Sequence, residues 1–382
     1  MKDICLKILY LITALGVGGA ENLLIDVCES LYESHDITVG FFKDMRHFEP
    51  QLHQMGIDTK YFPFYKKSQL PMLLFTLRRF IKKERFDIVH THLPGADFIG
   101  RLAALTVRRV KIISTVHNSD PWKLEKGFPY KMLRLFDYLT VNLFRKVSLL
   151  AVSQSAKDFC IKHERIREKK IKVLYNFINF DNPLKEKEDF VPLFDKEKYF
   201  IIVSVARLEP NKGHMFLFDA VDMIRQQKEL SNIRLIVMGG GSKDEEYRNY
   251  VHDKELDEYI IFVGRQPNVY DYLKSSSLFV LASENEGQSI AVLESFYCKT
   301  PVLVADNESN VELLKEGANG VLFPYGNTED FAAKIKGFML NKYDVKRFTH
   351  NGYEFAQIFS KHRHVVVLEG YMRSITRKRK KK

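Results

Sequence analysis

Phe200-Ile201-Ile202-Val203-Ser204-Val205 runs into Ala206-Arg207-Leu208-Glu209-Pro210-Asn211-Lys212-Gly213, and this stretch decides the fold. Its first half is a short apolar run broken only by Ser204, which fits a strand buried on both faces of a parallel sheet. Pro210 and Gly213 then mark a turn. Working outward, the same rhythm recurs. Strand-like runs occupy residues 234–238, 260–263, 278–281 and 301–304 on the C-terminal side, with segments of helical period between them. On the N-terminal side they occupy 7–13, 36–42, 87–90, 110–115, 147–152 and 171–174. Strands alternating with helices build parallel sheets through right-handed crossovers. Two such series predict an α/β protein of two Rossmann-like domains, spanning 1–180 and 199–349. Residues 181–198 are charged, contain Pro183 and Pro192 and lack a helical period, so they read as a linker. A helical segment over 350–376 carries Tyr353, Phe355, Ile358, Phe359, Val366, Val367 and Tyr371, and a basic tail follows at 377–382.

The 382 residues are 45% hydrophobic, which argues for packed cores and against disorder throughout. Cys5, Cys28, Cys160 and Cys298 lie far apart, which argues against a disulfide scaffold or zinc module and for a reducing compartment. The net charge of +11 is uneven. Residues 1–180 hold 29 Lys+Arg against 18 Asp+Glu, whereas 181–376 are net acidic. Within 60–111, 12 basic residues stand against 3 acidic ones. This balance suits nucleic acid, an anionic membrane or phosphate-bearing substrates. The all-basic 377–382 reads equally as a solvated tail or as a patch drawn to lipid headgroups. No apolar run approaches the ~20 residues of a membrane span. The longest, 8–20, follows Asp3 and leads into the helical pattern Leu23, Leu24, Val27 and Leu31. It reads as the first strand, loop and helix of a folded domain, not as a signal peptide.

Ligands of open α/β sheets bind beyond the carboxyl ends of strands, so the loops there carry the functional reading. Gly16-Val17-Gly18-Gly19-Ala20-Glu21 fits a tight turn and a phosphate-binding loop equally well. It is not a dinucleotide fingerprint: Glu21 takes the third glycine position, and the next strand ends without an acid for a ribose. Gly95-Ala96-Asp97-Phe98-Ile99-Gly100 continues with Arg101-Leu102, so no Walker loop is present. Arg207 and Lys212, five apart across a turn, could converge on one diphosphate or stand as two solvated charges. Gly239-Gly240-Gly241-Ser242 is either backbone that must approach something or a bare loop.

The strongest constellation is Ser283-Glu284-Asn285-Glu286-Gly287-Gln288-Ser289-Ile290-Ala291-Val292-Leu293-Glu294. Glu286 and Gly287 sit in a loop after a buried strand, with the amides of a helix N-terminus behind them. Glu294 lies about one and a half turns into that helix and leans back toward the same loop. A carboxylate for a sugar, amides for a phosphate and a second carboxylate for a ribose would together hold a nucleotide sugar. His90 and His92, an H-x-H after a strand, read as polar or core residues, because no third ligand accompanies them. His117, beyond another strand end, is the better ligand-facing candidate, and His362 and His364 read as structural.

Taken in order over nearly the whole chain, these elements resemble the retaining glycosyltransferases of family 4. The resemblance rests on Gly18-Gly19-Ala20-Glu21, on the R-x4-K-G pattern of Arg207 and Lys212, and above all on the Glu-x7-Glu spacing of Glu286 and Glu294. It implies the glycosyltransferase-B (GT-B) fold, two Rossmann-like domains facing each other across a cleft, with the terminal segment crossing back to the first. It also implies roles. Arg207 and Lys212 would stabilise the departing nucleotide diphosphate. Glu286 would hydrogen-bond the transferred sugar, with the amides of Gly287, Gln288 and Ser289 near phosphate. Glu294 would bind the ribose, and Gly264 and Arg265 would lie near the base. His117 would sit beside the sugar, and Gly18 and Gly19 would face the diphosphate. No metal and no cofactor beyond the nucleotide-sugar substrate is implied, which agrees with the lack of an Asp-x-Asp pair. Gln288 departs from the aromatic or apolar residue common in the family. It would alter sugar preference or face solvent.

The expected function is transfer of a sugar, with retention, from a nucleotide-sugar donor such as a UDP-sugar to a hydroxyl acceptor, a lipid-linked or polysaccharide precursor. The expected location is cytoplasmic and peripheral on an anionic membrane face, through residues 60–111 and 377–382. Two rivals remain at this point: a non-hydrolysing nucleotide-sugar epimerase, and a basic nucleic-acid-binding protein. For the latter no stacking platform or recognised module is evident, and no nucleic-acid partner is expected.

Overall fold

The structure is a computed structural model that describes residues 5–119, 127–180 and 186–377. It divides into two compact units, one of residues 1–177 and 361–382 and one of residues 178–360. Unit 1 is built on Lys7–Ile12 (β1), Asp36–Phe41 (β2), Asp58–Tyr61 (β3), Ile88–His92 (β4), Lys111–Val116 (β5), Val147–Ala151 (β6) and Ile171–Val173 (β7). They form one sheet in the order β3-β2-β1-β4-β5-β6-β7, parallel throughout. Unit 2 is built on Phe200–Val205 (β8), Ile233–Met238 (β9), Ile260–Gly264 (β10), Leu278–Leu281 (β11), Val302–Ala305 (β12) and Val321–Phe323 (β13). These run parallel in the order β10-β9-β8-β11-β12-β13.

The central strands read as unbroken apolar runs because helices cover both faces of each sheet. In unit 2, Ile202, Leu235 and Leu278 belong to one core with Phe218 and Phe331, while Val203, Ile236 and Phe279 belong to another with Phe296 and Tyr270. Each sheet reverses its strand order once, between β1 and β4 and between β8 and β11. Connections leave in opposite directions there, and the crevice at the carboxyl ends is where such sheets bind ligands.

Two strands have no counterpart in the sequence pattern. Asp58–Tyr61 is a half-exposed edge strand with no apolar run, and Val321–Phe323 has only three residues. The strand β4 runs on to His92, so the H-x-H lies within the strand and not after it. His90 and His92 are both buried and, two apart, share one face of the sheet.

The terminal helical segment splits. The helix Val345–Ala356 packs on the helix Ile290–Tyr297, where a Cβ on Gly352 would come within 2.7 Å of the Phe296 ring. The helix Lys361–Arg377 belongs to unit 1. Lys361 Nζ lies 2.7 Å from Glu29 Oε2, and His35 Nε2 lies 3.2 Å from Glu369 Oε1. Its buried side is Val365, Leu368 and Met372, whereas Val366, Val367 and, before the helix, Ile358 are exposed. Where the chain passes between units, Ile178 N donates to Phe359 O at 2.9 Å and Ile178 bridges Ser360 in parallel.

Of the stretch read as a linker, 181–185 lie outside the described residues. The rest is fastened along unit 2. Lys187 N donates to Asp271 Oδ2 at 2.9 Å, Lys274 pairs with Glu186 at 2.6 Å, and Phe190 meets Tyr272 edge-on. Residues 378–382 of the basic tail also lie outside the described residues.

Candidate active site

In unit 2 the loops after β8 and β11 rise on either side of the point where the strand order reverses. Pro210–Lys212 forms one turn of 3-10 helix, and Gly213, at φ 69°, hands the chain to the helix His214–Arg225. A Cβ on Gly213 would lie 2.1 Å from the Ala282 carbonyl oxygen, so only glycine lets the two loops touch. They are stitched by Glu284 N donating to Asn211 O at 2.9 Å. This contact brings together Lys212 and Glu286, whose Nζ and Oε1 are 2.6 Å apart, with both side chains largely buried.

Arg207 does not join that pair. Its guanidinium is exposed and makes no hydrogen bond or ion pair among the described residues. Its electrostatic neighbour is Glu209. That carboxylate accepts from Ser242 N at 3.1 Å and Ser242 Oγ at 2.6 Å, and these bonds, with Arg207 nearby, lower its pKa. The glycine loop after β9 thus has a structural reason. Gly239 and Gly241 lie so close to the β8 loop that a Cβ would meet the Ala206 and Leu208 carbonyl oxygens at 1.9 and 2.3 Å. Gly240 lies beside Arg265, whose Nε would stand 3.3 Å from a Cβ there. Gly264, at φ 68°, opens onto free space.

Beyond Glu286, Ser309 Oγ donates to Gly287 O at 3.0 Å, and Asn307 Nδ2 donates to Ser283 O at 2.9 Å. Ser289 caps the helix Ile290–Tyr297 by accepting from Val292 N. Gln288 is buried, not turned to solvent. Glu294, buried on that helix, lies near Tyr270, whose pKa is raised by burial and then by the Glu294 charge. Two residues beyond Lys212, His214 is fully buried, and neither ring nitrogen has a hydrogen-bond partner among the described residues. Burial and the Lys212 charge push its pKa down to about 4.

In unit 1, Gly18 precedes the helix Gly19–Leu31 beside the β1–β4 reversal. A Cβ on it would meet the Glu21 carboxylate at 2.4 Å, so glycine leaves room for that side chain against the backbone at the helix start. His117 follows β5. Its Nε2 lies 3.0 Å from His92 Nδ1, and His90 Nε2 lies 2.8 Å from Thr115 Oγ1. His364 contacts Tyr175 O at 2.7 Å and lines the same small cavity as Tyr10, His90, His92 and His117. Burial, then the His364 charge, lowers the His117 pKa to about 4. Among the described residues no group of three or more His, Cys, Asp or Glu could hold a metal ion.

The sequence matches two family models end to end: Glycosyltransferase Family 4 over residues 17–182 and Glycosyl transferases group 1 over 185–355. The chain belongs to the GT-B-fold glycosyltransferases. This glycosyltransferase is 28% identical over 267 residues to UDP-Gal:alpha-D-GlcNAc-diphosphoundecaprenol alpha-1,3-galactosyltransferase of Escherichia coli, covering 68% of this chain and 67% of the relative. It is 23% identical, over 93% of this chain and 96% of the relative, to a Campylobacter jejuni enzyme. That relative is N-acetylgalactosamine-N,N'-diacetylbacillosaminyl-diphospho-undecaprenol 4-alpha-N-acetylgalactosaminyltransferase. Among solved structures, Anabaena HepE in complex with UDP superposes with a TM-score of 0.80 at 20% identity, over 96% of this chain and 100% of that one. The glycosyltransferase is an enzyme that transfers a sugar from a nucleotide-sugar donor to an acceptor.

Sequence reasoning missed several contacts that shape its site. Glu209 and Ser242 clasp two loops, Asn307 and Ser309 hold the Glu286–Gly287 loop, and His92 holds His117. Glu209, Ser242 and His92 stood inside motifs without a partner being legible, and Asn307 left a trace as an Asn directly before a helical pattern.

Proposed function

We propose that this glycosyltransferase moves a sugar, with retention, from a UDP-sugar to a hydroxyl of a lipid-linked or polysaccharide-precursor acceptor. The observation that carries the reading is the Lys212–Glu286 pair at the β8–β11 reversal. Breaking the anomeric bond loads charge onto the diphosphate, and a preorganised cation acts most where that charge develops. Lys212 is assigned that task, with Arg207 free to swing onto the same phosphates. Glu286, released from Lys212 by the arriving donor, accepts hydrogen bonds from the transferred sugar. The amides from Gly287 to Ser289 open the capped helix and suit a phosphate. Glu294 is assigned to the ribose, and Gly264 with Arg265 to the base. In unit 1, His117 is assigned to the sugar and Gly18 and Gly19 to the diphosphate.

The donor reading is supported by the UDP-Gal named for the Escherichia coli relative and the UDP bound to HepE. The acceptor reading is supported by the diphosphoundecaprenol named for two relatives. Such an acceptor sits in a membrane, and among the described residues no helix is long and apolar enough to cross one. We assign the enzyme to the cytoplasmic membrane surface, drawn there by the basic residues of 60–111 and 377–382.

The test is UDP release from a panel of UDP-sugars, with and without a prenyl-diphosphate-linked sugar. The reading expects release that depends on the acceptor and is lost in Glu286→Gln. Isomerised sugar formed without acceptor would overturn it in favour of an epimerase.

A further inference from the structure

The helix Phe128–Leu143 of unit 1 presents its two sides the wrong way round for a surface helix. Inward, Asp137 and Thr140 are buried against Arg101 of the helix Pro94–Leu105. The Arg101 guanidinium donates to Asp137 Oδ1 at 2.7 Å and to Thr140 Oγ1 at 3.2 Å, with Phe136 over its face. Asn142, also buried, donates to Arg165 O and accepts from Arg167 N. Outward stand Met132 (46% exposed), Leu135 (45%), Leu139 (39%) and Leu143 (60%). Their spacing of three, four and four makes a single stripe along the helix. A helix in water turns such a stripe to the core.

Among the described residues of 127–146 the exposed charges are all basic. Lys131 and Arg145 are exposed beside it. The helix Leu70–Glu84 shares the same core layer, through Leu73, Leu77 and Ile81 on one helix and Val141 on the other. That helix turns Met72 and Phe75 outward together with Arg78, Arg79, Lys82 and Lys83. The acids of these helices are withdrawn: Asp97 and Asp137 are buried, and Glu84 is paired with Lys7.

We propose that Phe128–Leu143 is an interfacial helix whose Met132–Leu135–Leu139–Leu143 stripe enters the headgroup boundary of an anionic bilayer, with the surrounding Lys and Arg on lipid phosphates. Flexible aliphatic side chains ringed by basic ones are what such a boundary takes, whereas protein interfaces favour aromatic anchors. The proposal rests on the membrane-borne acceptor described above and assigns its contact to one helix.

The test uses the full chain and sedimentation with vesicles of phosphatidylglycerol and phosphatidylcholine in equal parts. Wild type is expected to sediment and to retain part of its binding in high salt. Leu135→Ser with Leu139→Ser should lower partitioning roughly tenfold or more. The helix-favouring Leu135→Ala with Leu139→Ala should lower it less. Melting temperature and UDP-sugar affinity should hold in both. Equal binding by wild type and both variants would overturn the helix assignment and leave the membrane reading to the basic segments alone. No binding by wild type would overturn both. A dimer in lipid-free ultracentrifugation that the serine variant dissolves would make the stripe a contact between two copies and overturn the proposal.

Discussion

Lys212 Nζ and Glu286 Oε1 lie 2.6 Å apart although 74 residues separate them in the chain, and each largely buried charge neutralises the other. Each also leaves a liability when its partner is removed. Lys212→Met and Glu286→Leu should each destabilise unit 2, and the double variant should recover part of the loss. A coupling of about 1–3 kcal/mol in a urea double-mutant cycle is expected. Lys212→Met should also slow transfer by about a hundredfold or more with a smaller change in donor affinity. Wild-type turnover would remove Lys212 from the reaction.

Gly213 and Gly264 share a left-handed backbone, at φ 69° and 68°, but not their surroundings. Gly264→Ala should cost only the conformational term, about 1–2 kcal/mol. Gly213→Ala must also push the Ala282 carbonyl away, and should cost about 2–4 kcal/mol and part the two loops. Denaturation midpoints rank the two variants, and equal losses would mean that the close approach is not tight.

Arg101 and Asp137 are both buried and paired at 2.7 Å. Asp137→Ala strands the guanidinium and should cost about 3–5 kcal/mol, whereas replacing both by Met and Leu should cost much less. Calorimetric melting of the three proteins reads this directly.

Burial around Tyr10 and Thr115 lowers the pKa of His90 to about 3 and of His117 and His364 to about 4, while His92 is also lowered. Their unfolded forms titrate near the usual 6.5. Between pH ~4 and ~6.5 the unfolded chain therefore binds more protons than the folded one, so stability rises with pH across that window. Moving from pH 7 to 5 should cost on the order of 1 kcal/mol per histidine. The urea midpoint should fall accordingly, and His90→Gln should flatten the slope. A midpoint independent of pH would contradict the burial of these rings.

Glu294 is buried on the helix that Ser289 caps. Glu294→Ala should weaken UDP affinity roughly tenfold to a hundredfold by calorimetry, the cost of hydrogen bonds to a charged group. Unchanged affinity would place the ribose elsewhere.

Long apolar runs such as Phe200–Val205 were readable because a strand buried on both faces has no polar side to hide. Asp58–Tyr61 was not, since an edge strand takes its shape from its neighbour's hydrogen bonds and its own residues need not be apolar. Glu286 and Glu294 were legible through their spacing, but the pairing of Glu286 with Lys212 needed two loops brought together by topology. Val366 and Val367 misled because a helical period fixes a stripe without saying which residue beside it lies at its centre. Val365 took that place. Nothing in the pattern of residues 128–143 announces that Arg101 draws their polar side inward, because that pairing joins two helices through residues 36 apart in the chain.

The passages at Ile178 and Ser360 lie side by side, so the second half of this protein is an insertion completed before the first half can be. On the ribosome, residues 178–360 are all made before the helix Lys361–Arg377, whose His364 and Leu368 close over Leu23, Leu24 and Val27. The first-made sheet therefore waits, one apolar flank open, for the last helix to be synthesised. A premature stop codon just past residue 360 would yield a finished second unit joined to an unfinished first one, and a chaperone would meet the older half of the chain as the less mature.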